Sequence, residues 1–386
     1  MFMGIKSIHY FDNCATTKVD SEVMDIIADY ATEKYFNPSA RSSFSLEVAN
    51  DIAYARSKIG KLLGAQDKEL VFTSGGTEAD NLAIFGSLRA KKGNIIASAI
   101  EHSAVYNTVQ ILAERGYEIR MANVFADGHI DVEDLLSKVD GETRLVCFMH
   151  ISNETGAVND VRTINSLVKQ KNPKAVTFVD GVQAVGKIPV NLKYFGIDLY
   201  SFAGHKIHAS KGIGCLYVKS GLHFASTVFG GGQERGIRSG TEFVGGIVGL
   251  AKAVELAHQN LQKNRDVFCA YKKVIREQLK QVTDWQENCT VEVSPAIMSL
   301  AFADIKAEVL LHMLEKYGII VGTGSACSSK NKYSRLSKAI GLADKYAEGI
   351  LRISFSRFNT LDEVDLLANK LADCVIELRR TMLGTR

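Results

Sequence analysis

Apolar positions fall into two alternating rhythms from about residue 45 to 220. Residues 46–63, LEVANDIAYARSKIGKLL, place apolar side chains three and four apart and stop at Gly64, which predicts an amphipathic helix with a glycine end. Short β-like runs follow: ELVFT (69–73), NIIASA (94–99), a stretch near Glu118 to Val124, LVCFM (145–149), AVTFV (175–179) and DLYSF (198–202). Helical spacing between them predicts helices from about Glu78 to Arg89, Val105 to Arg115 and Val161 to Lys171. This order predicts an α/β fold with a mostly parallel central sheet covered by helices on both faces. IGCLYV (213–218) follows DLYSF too closely for an intervening helix and is expected to add a strand directly. From about residue 242 the pattern changes. Helical spacing runs to about Lys280, then come IMSLAF (297–302), a helix over 306–317, IIV (319–321), a Gly/Ser loop, a short helix, ILRISF (350–355) and a last helix. That succession predicts a smaller α+β domain.

Composition narrows the class. At 386 residues the chain exceeds the usual size of one hydrophobic core, so two domains are expected. Its 46% hydrophobic and 23% charged content is that of an ordinary globular protein, and four prolines leave little room for long linkers. A net charge of +3 gives no reason to expect direct nucleic-acid or membrane binding. No apolar run approaches the roughly 20 residues of a membrane span, and MFMGIKSIHYFDN does not read as a signal peptide. A cytoplasmic location is expected. The seven cysteines are scattered without a C-x-x-C pair, so neither a disulfide framework nor a metal cluster is expected.

The candidate chemistry lies where strands end. Five β-like runs lead into polar clusters: Thr73 to Thr77, Glu101-His102, His150 to Asn153, Asp180 to Gln183, and Gly204-His205-Lys206. In open α/β sheets, ligands bind beyond the carboxyl ends of strands, so these clusters are expected to converge. FTSGGTEADNLAI reads as strand, glycine turn and helix start, a cradle for an anion or, more plainly, a helix cap at Thr77. It has neither the GK[ST] ending of a Walker loop nor G-x-G-x-x-G. Lys206, between an apolar strand and a glycine-rich turn, is a candidate for a lowered pKa, against the plainer reading of a solvated surface lysine. An amine, an acid (Asp180) and an anion cradle (Gly75–Thr77) are the three groups that pyridoxal 5'-phosphate (PLP) requires. Cys327, in VGTGSACSSKNK, has small and polar neighbours, unlike Cys147 and Cys215 inside apolar runs, and is the candidate reactive thiol.

FDNCATT (11–17), FTSGGTEADNLAI, EHSAV, NETGAV, VDGVQAVGKIPV, GHK, GGGQERGIRSGT, GSACSS and ILRISFSRF (350–358) occur in this order over nearly the whole chain. In this the sequence resembles cysteine desulfurases of the NifS/IscS type, within the class V aminotransferase group of fold-type I PLP enzymes. The resemblance implies a large PLP-binding domain over 15–258, and a small domain over 1–14 and 259–386 carrying the cysteine loop. It implies that Lys206 carries PLP and moves the substrate Cα proton, that His102 stacks on the ring, and that Asp180 pairs with the ring nitrogen. Gln183 and Asn153 would lie near the ring hydroxyl and substrate, while Gly76, Thr77 and His205 hold the phosphate. Thr241 would reach the phosphate of a second subunit, giving a homodimer with shared sites. Arg352, with Asn13 nearby, would grip the carboxylate of L-cysteine, and Cys327 would take its sulfur as a persulfide, release alanine and pass the sulfur to an acceptor protein. Selenocysteine lysis, another class V reaction on the same scaffold, or a non-catalytic sulfur-relay scaffold are the alternatives. A loop thiol argues against transamination, and intact Lys206, Asp180 and His102 argue against a scaffold. The sequence departs from the family pattern at Cys14, Ser42, Ala203 and Ala209-Ser210, where alanine, histidine, serine and Gly-Pro are common.

Overall fold

A computed structural model describes residues 7–88, 93–323 and 334–384; Cys327 and most of its loop lie outside them. The N-terminal strand β1 (His9–Tyr10) leads to helices α1 (Ser21–Thr32) and α2 (Ser43–Leu63). Ser42, where a histidine was the family expectation, is the N-cap of α2, its side chain accepting from the Ser45 N–H. Gly64 ends the helix in the left-handed conformation at φ +70°, as its sequence position predicted.

The chain then alternates β2 (Leu70–Thr73), α3 (Gly76–Ser87), β3 (Asn94–Ser98), α4 (Ser103–Glu114), β4 (Glu118–Ala122), α5 (Val132–Lys138), β5 (Thr143–Met149), α6 (Val161–Lys171), β6 (Val176–Asp180), the short α7 (Leu192–Phe195), β7 (Leu199–Ala203) and β8 (Gly214–Val218). These strands form a seven-stranded sheet in the order β2-β8-β7-β6-β5-β3-β4. Strand β8 runs antiparallel to both of its neighbours, β2 and β7, and the remaining pairs are parallel. All strands but β8 therefore point the same way. Alternation along β5 shows how both faces are covered: Leu145 and Cys147 join α3 and α4 in one core, while Val146 and Phe148 join α1, α2, α5, α6 and α8 (Val244–Gln259) in the other.

After α8 come α9 (Leu261–Gln278), β9 (Trp285–Glu287), β10 (Ile297–Phe302), α10 (Ala307–Glu315), β11 (Ile319–Ile320), β12 (Gly322–Thr323), α11 (Arg335–Ala339), β13 (Ile350–Ser354) and α12 (Leu361–Gly384). The second sheet is antiparallel, in the order β12-β13-β10-β9, and α9, α10 and α12 close a separate core around Leu300, Leu351 and Leu371. The N-terminus belongs to that core. Strand β1 pairs with β11, Phe11 is fully buried there, and Asp12 bridges to Ser354.

The antiparallel β8 has a local consequence at the first glycine turn. Gly214 pairs with Thr73, and a Cβ at Gly214 would stand 2.6 Å from the carbonyl carbon of Gly75. Gly75 itself, at φ +156° and ψ −177°, occupies a region closed to other residues. Two backbones thus touch without a side chain between them. Gly214→Ala is expected to destabilise the protein by about 1–3 kcal/mol through overpacking, read as a lower urea midpoint at unchanged m-value.

Candidate active site

Because β2, β3, β5, β6 and β7 share a direction, the five polar clusters meet at one edge of the large sheet. They line a cavity of about 390 Å³. From β2 come Gly76, Thr77 and Asp80; from β3, His102; from β5, Asn153; from β6, Asp180 and Gln183; from β7, His205 and Lys206. Cys14 and Ala15 close one side from the N-terminal segment, and Arg352 enters from β13 of the second sheet.

Helix α3 begins at Gly76, two residues before the expected start, because Gly75 rather than Thr77 is its N-cap. Gly76 and Thr77 therefore sit in the first turn, where N–H groups lack helical partners and attract an anion. A Cβ at Gly76 would lie 2.9 Å from Val182, so glycine keeps the cradle close to the β6 loop. Glu78 braces the turn from outside, accepting from the Ser74 N–H at 2.7 Å and pairing with Arg238 at 2.7 Å.

Lys206 sits in a short 3-10 turn directly after β7. Its Nζ donates to the carbonyl oxygens of Cys14 at 2.5 Å and Ala15 at 2.7 Å. Burial, then the nearby positive charge of Lys187, brings its pKa down to about 8. His205, burial and Lys206 acting together, is lowered to about 4 and is neutral at pH 7. His102 caps α4: its Nδ1 accepts from the Ala104 N–H at 3.2 Å, so in the neutral ring the proton sits on Nε2.

Beneath the cavity lie three carboxyls. Asp80, Glu101 and Asp180 are 1%, 0% and 4% exposed. Asp80 accepts from Ser201 Oγ at 2.6 Å, Asp180 from the Val182 N–H at 2.9 Å, and Glu101 Oε1 from Ser98 Oγ and the Met149 N–H. Glu101 Oε2 is buried without a partner among the described residues. Burial pushes all three upward, and the charge of Asp180 adds to the effect on its two neighbours. The charges of His102 and Lys206 oppose that rise at Asp180. A cationic ring nitrogen in the cavity is the kind of group that would hold Asp180 ionised.

Arg352 is buried between the two sheets, donating to the Asn153 carbonyl oxygen at 2.8 Å and to Asp12 Oδ1 at 2.7 Å. Its Nε and Asn153 Oδ1 are buried without partners among the described residues. Two expected site residues lie elsewhere. Asn13 turns away from the cavity, its Nδ2 donating to the Ser354 carbonyl oxygen at 2.8 Å, and its neighbour Asp12 meets Arg352 instead. Thr241 is exposed, beside a separate cavity lined by Tyr35, Phe36, Pro38 and Phe243. Asp12, Asp80, Lys187 and the Cys14 carbonyl also shape the site, though the sequence alone did not single them out. The first three stand inside motifs quoted above, and Lys187 follows Gln183 at a spacing of four.

Glu101 makes stability depend on pH. Its pKa rises from the ordinary 4.5 to about 8, so between these values the unfolded chain is ionised there while the folded chain holds the proton. Folded-state proton binding is the greater, so stability falls as pH rises through this window. Glu101→Gln keeps the Ser98 and Met149 bonds, and at about pH 8 it is expected to exceed the wild type by about 1 kcal/mol or more, with no gain at about pH 4. Denaturant unfolding of both proteins at each pH measures the difference.

The model of the class V aminotransferase family matches residues 9–367. A cysteine desulfurase of Trichormus azollae is 40% identical over 97% of this chain and 94% of its own length. The IscS cysteine desulfurase of Clostridium botulinum (strain Hall) is 38% identical over 97% and 95%. Among solved structures, a NifS-like protein aligns with a TM-score of 0.90 at 34% identity, covering 95% of this chain and 99% of that one. The apo structure of a cysteine desulfurase from Thermococcus onnurineus NA1, at 23% identity and a TM-score of 0.85 over 95% and 94%, shares the fold. With its parallel sheet and the cavity at the strand ends, the chain belongs to the class V aminotransferase family.

Proposed function

We propose that the protein is a PLP-dependent cysteine desulfurase, converting L-cysteine to L-alanine and moving the sulfur to Cys327. The observation that carries this reading is the meeting, in one cavity, of a desolvated lysine, a buried aspartate and a glycine cradle, with an arginine entering from the second sheet. Bound there, the cofactor supplies an aldehyde for an amine and a protonated ring that withdraws electrons from the substrate α-carbon. Lys206 holds the cofactor and, once free, takes the proton from that carbon; a pKa near 8 leaves a useful neutral fraction close to neutral pH. Asp180 would pair with the ring nitrogen, and Gly76, Thr77 and neutral His205 would hold the phosphate. His102 would lie against the ring, with Nε2–H as its donor. Gln183 and Asn153 address the ring hydroxyl and the substrate.

Arg352 binds the substrate carboxylate, and Asp12 and the Asn153 carbonyl fix its guanidinium. Cys327 thiolate attacks the sulfur of the bound cysteine. The Cβ–S bond breaks, its electron pair goes to Cβ, and alanine leaves once Cβ has been protonated and Lys206 has returned a proton to Cα. The resulting persulfide passes to an acceptor thiol, for iron-sulfur cluster assembly or for tRNA or cofactor thiolation, by thiol exchange. The chain is read as a cytoplasmic homodimer in which Thr241 completes the partner's phosphate site. The exposed Tyr35 and Phe243, which line the cavity beside Thr241, support that surface. Among the described residues no helix is long and apolar enough to cross a membrane. The large domain spans 15–258, and the small one 1–14 and 259–386, under this reading.

Loading with PLP is expected to give a visible absorbance band that Lys206→Ala lacks. Mass spectrometry after addition of cysteine is expected to find one extra sulfur on Cys327. Cys327→Ala should keep the band and lose alanine formation; undiminished turnover would turn the reading towards a lyase that needs no protein persulfide. Arg352→Lys is expected to raise KM for cysteine about tenfold or more, since an ammonium cannot reproduce the planar fork.

A further inference from the structure

Gln183 reaches the site with both ends of its amide engaged. Its Nε2 donates to the Cys14 carbonyl oxygen at 3.0 Å, and its Oε1 accepts from Lys187 Nζ. The same Cys14 oxygen accepts from Lys206 Nζ at 2.5 Å. Lys187, Gln183, the Cys14 carbonyl and Lys206 thus form one hydrogen-bonded line. The two faces of an amide have nearly the same shape, and only their partners decide which faces where. A lysine ammonium can only donate. The amide oxygen must therefore turn to Lys187, and the nitrogen must turn to Cys14 and the cavity that Gln183 lines.

The ammonium is costly where it stands. Burial lowers the pKa of Lys187, and among the described residues no carboxylate lies within ion-pair distance of it. A methionine would fill similar space without that cost. The compensating effect is to be sought at the groups that Lys187 touches or faces.

We propose that Lys187 is a positioning residue for the Lys206 site: together with the Cys14 carbonyl it fixes the orientation of the Gln183 amide, and it holds a second positive charge against the Lys206 amine. The part that concerns a bound ring rests on the PLP reading above; the effect on the free amine does not. The charged and titratable groups facing Lys206 are Lys187 and Gln183's neighbour Asp180 from the β6 side, Asp12 and Cys14 from the N-terminal segment, Arg352 from β13, and His205 beside it. Lys187 is the foremost of the charges that disfavour the protonated amine, ahead of Arg352. Removing it leaves burial in place and takes away a repulsion, so the amine must become more basic.

The test compares wild type, Lys187→Met, Lys187→Gln and Lys187→Arg. Without cofactor, the reactivity of Lys206 towards reductive methylation is followed against pH by peptide mass spectrometry. With PLP, the pH midpoint of the visible band is followed by absorbance. Lys187→Met and Lys187→Gln are expected to raise the amine midpoint by about one pH unit, and Lys187→Arg to restore it. Lys187→Gln retains an N–H for Gln183 Oε1, so it should keep more PLP affinity than Lys187→Met. The proposal is overturned if the neutral variants, folded by circular dichroism, titrate with the wild type. Lys187→Gln serves that purpose where Lys187→Met does not fold. A wild type that develops no visible band sinks the PLP reading alone, because the cofactor-free titration still decides the role of Lys187.

Discussion

Charge kept out of water at one edge of a sheet is the constraint on which this structure turns. Three buried carboxyls and two half-buried lysines stand within the same region, each held by fixed hydrogen-bond partners. Those partners are mostly backbone groups and short hydroxyls: the Cys14 and Ala15 carbonyls for Lys206, the Val182 N–H for Asp180, Ser201 for Asp80, Ser98 for Glu101. The parallel direction of the strands is what brings them together. Reversal of β8 does not disturb this, since it places β2 back in the common direction and so returns the glycine turn to the same edge.

Much of that was legible in the chain. Apart from the edge strand β4, each parallel strand is a nearly apolar run that ends abruptly in residues that water or a ligand must satisfy, so convergence followed from direction alone. The helix limits of α6 and the strand limits of β10 were readable to the residue, because periodicity is uninterrupted there. Strands of two or three residues, such as β1, β9 and β12, carry too little alternation to be seen. Helix α5, two turns long, escaped for the same reason.

The site residues divide along a different line. Those carried by strand ends line one cavity. Asn13 did not, because its side chain is spent on the Ser354 carbonyl, and which of Asp12 and Asn13 faces Arg352 depends on a bridge between segments 340 residues apart. Thr241 stands on the outer surface of a single chain, and nothing in local sequence places it relative to a second one. Lys187 was hidden by its ordinary appearance. A lysine four residues beyond a glutamine reads as surface until its bond to the Gln183 amide is seen.

That N-terminal segment has a consequence for how the protein comes into being. Phe11 lies in the core of the second sheet, Asp12 grips Arg352, and the next residues supply the carbonyls that hold Lys206 and Gln183. Its partners β11 and β13 leave the ribosome long after it. Residues 9–12 must therefore wait for residues 319–354. The parallel sheet can collapse earlier, but loop closure over such a separation delays this final docking. A nascent chain that ends before β13 would still lack the arginine and the closed wall at Lys206. The site is thus protected from acting before β13 is made, by the order of synthesis alone.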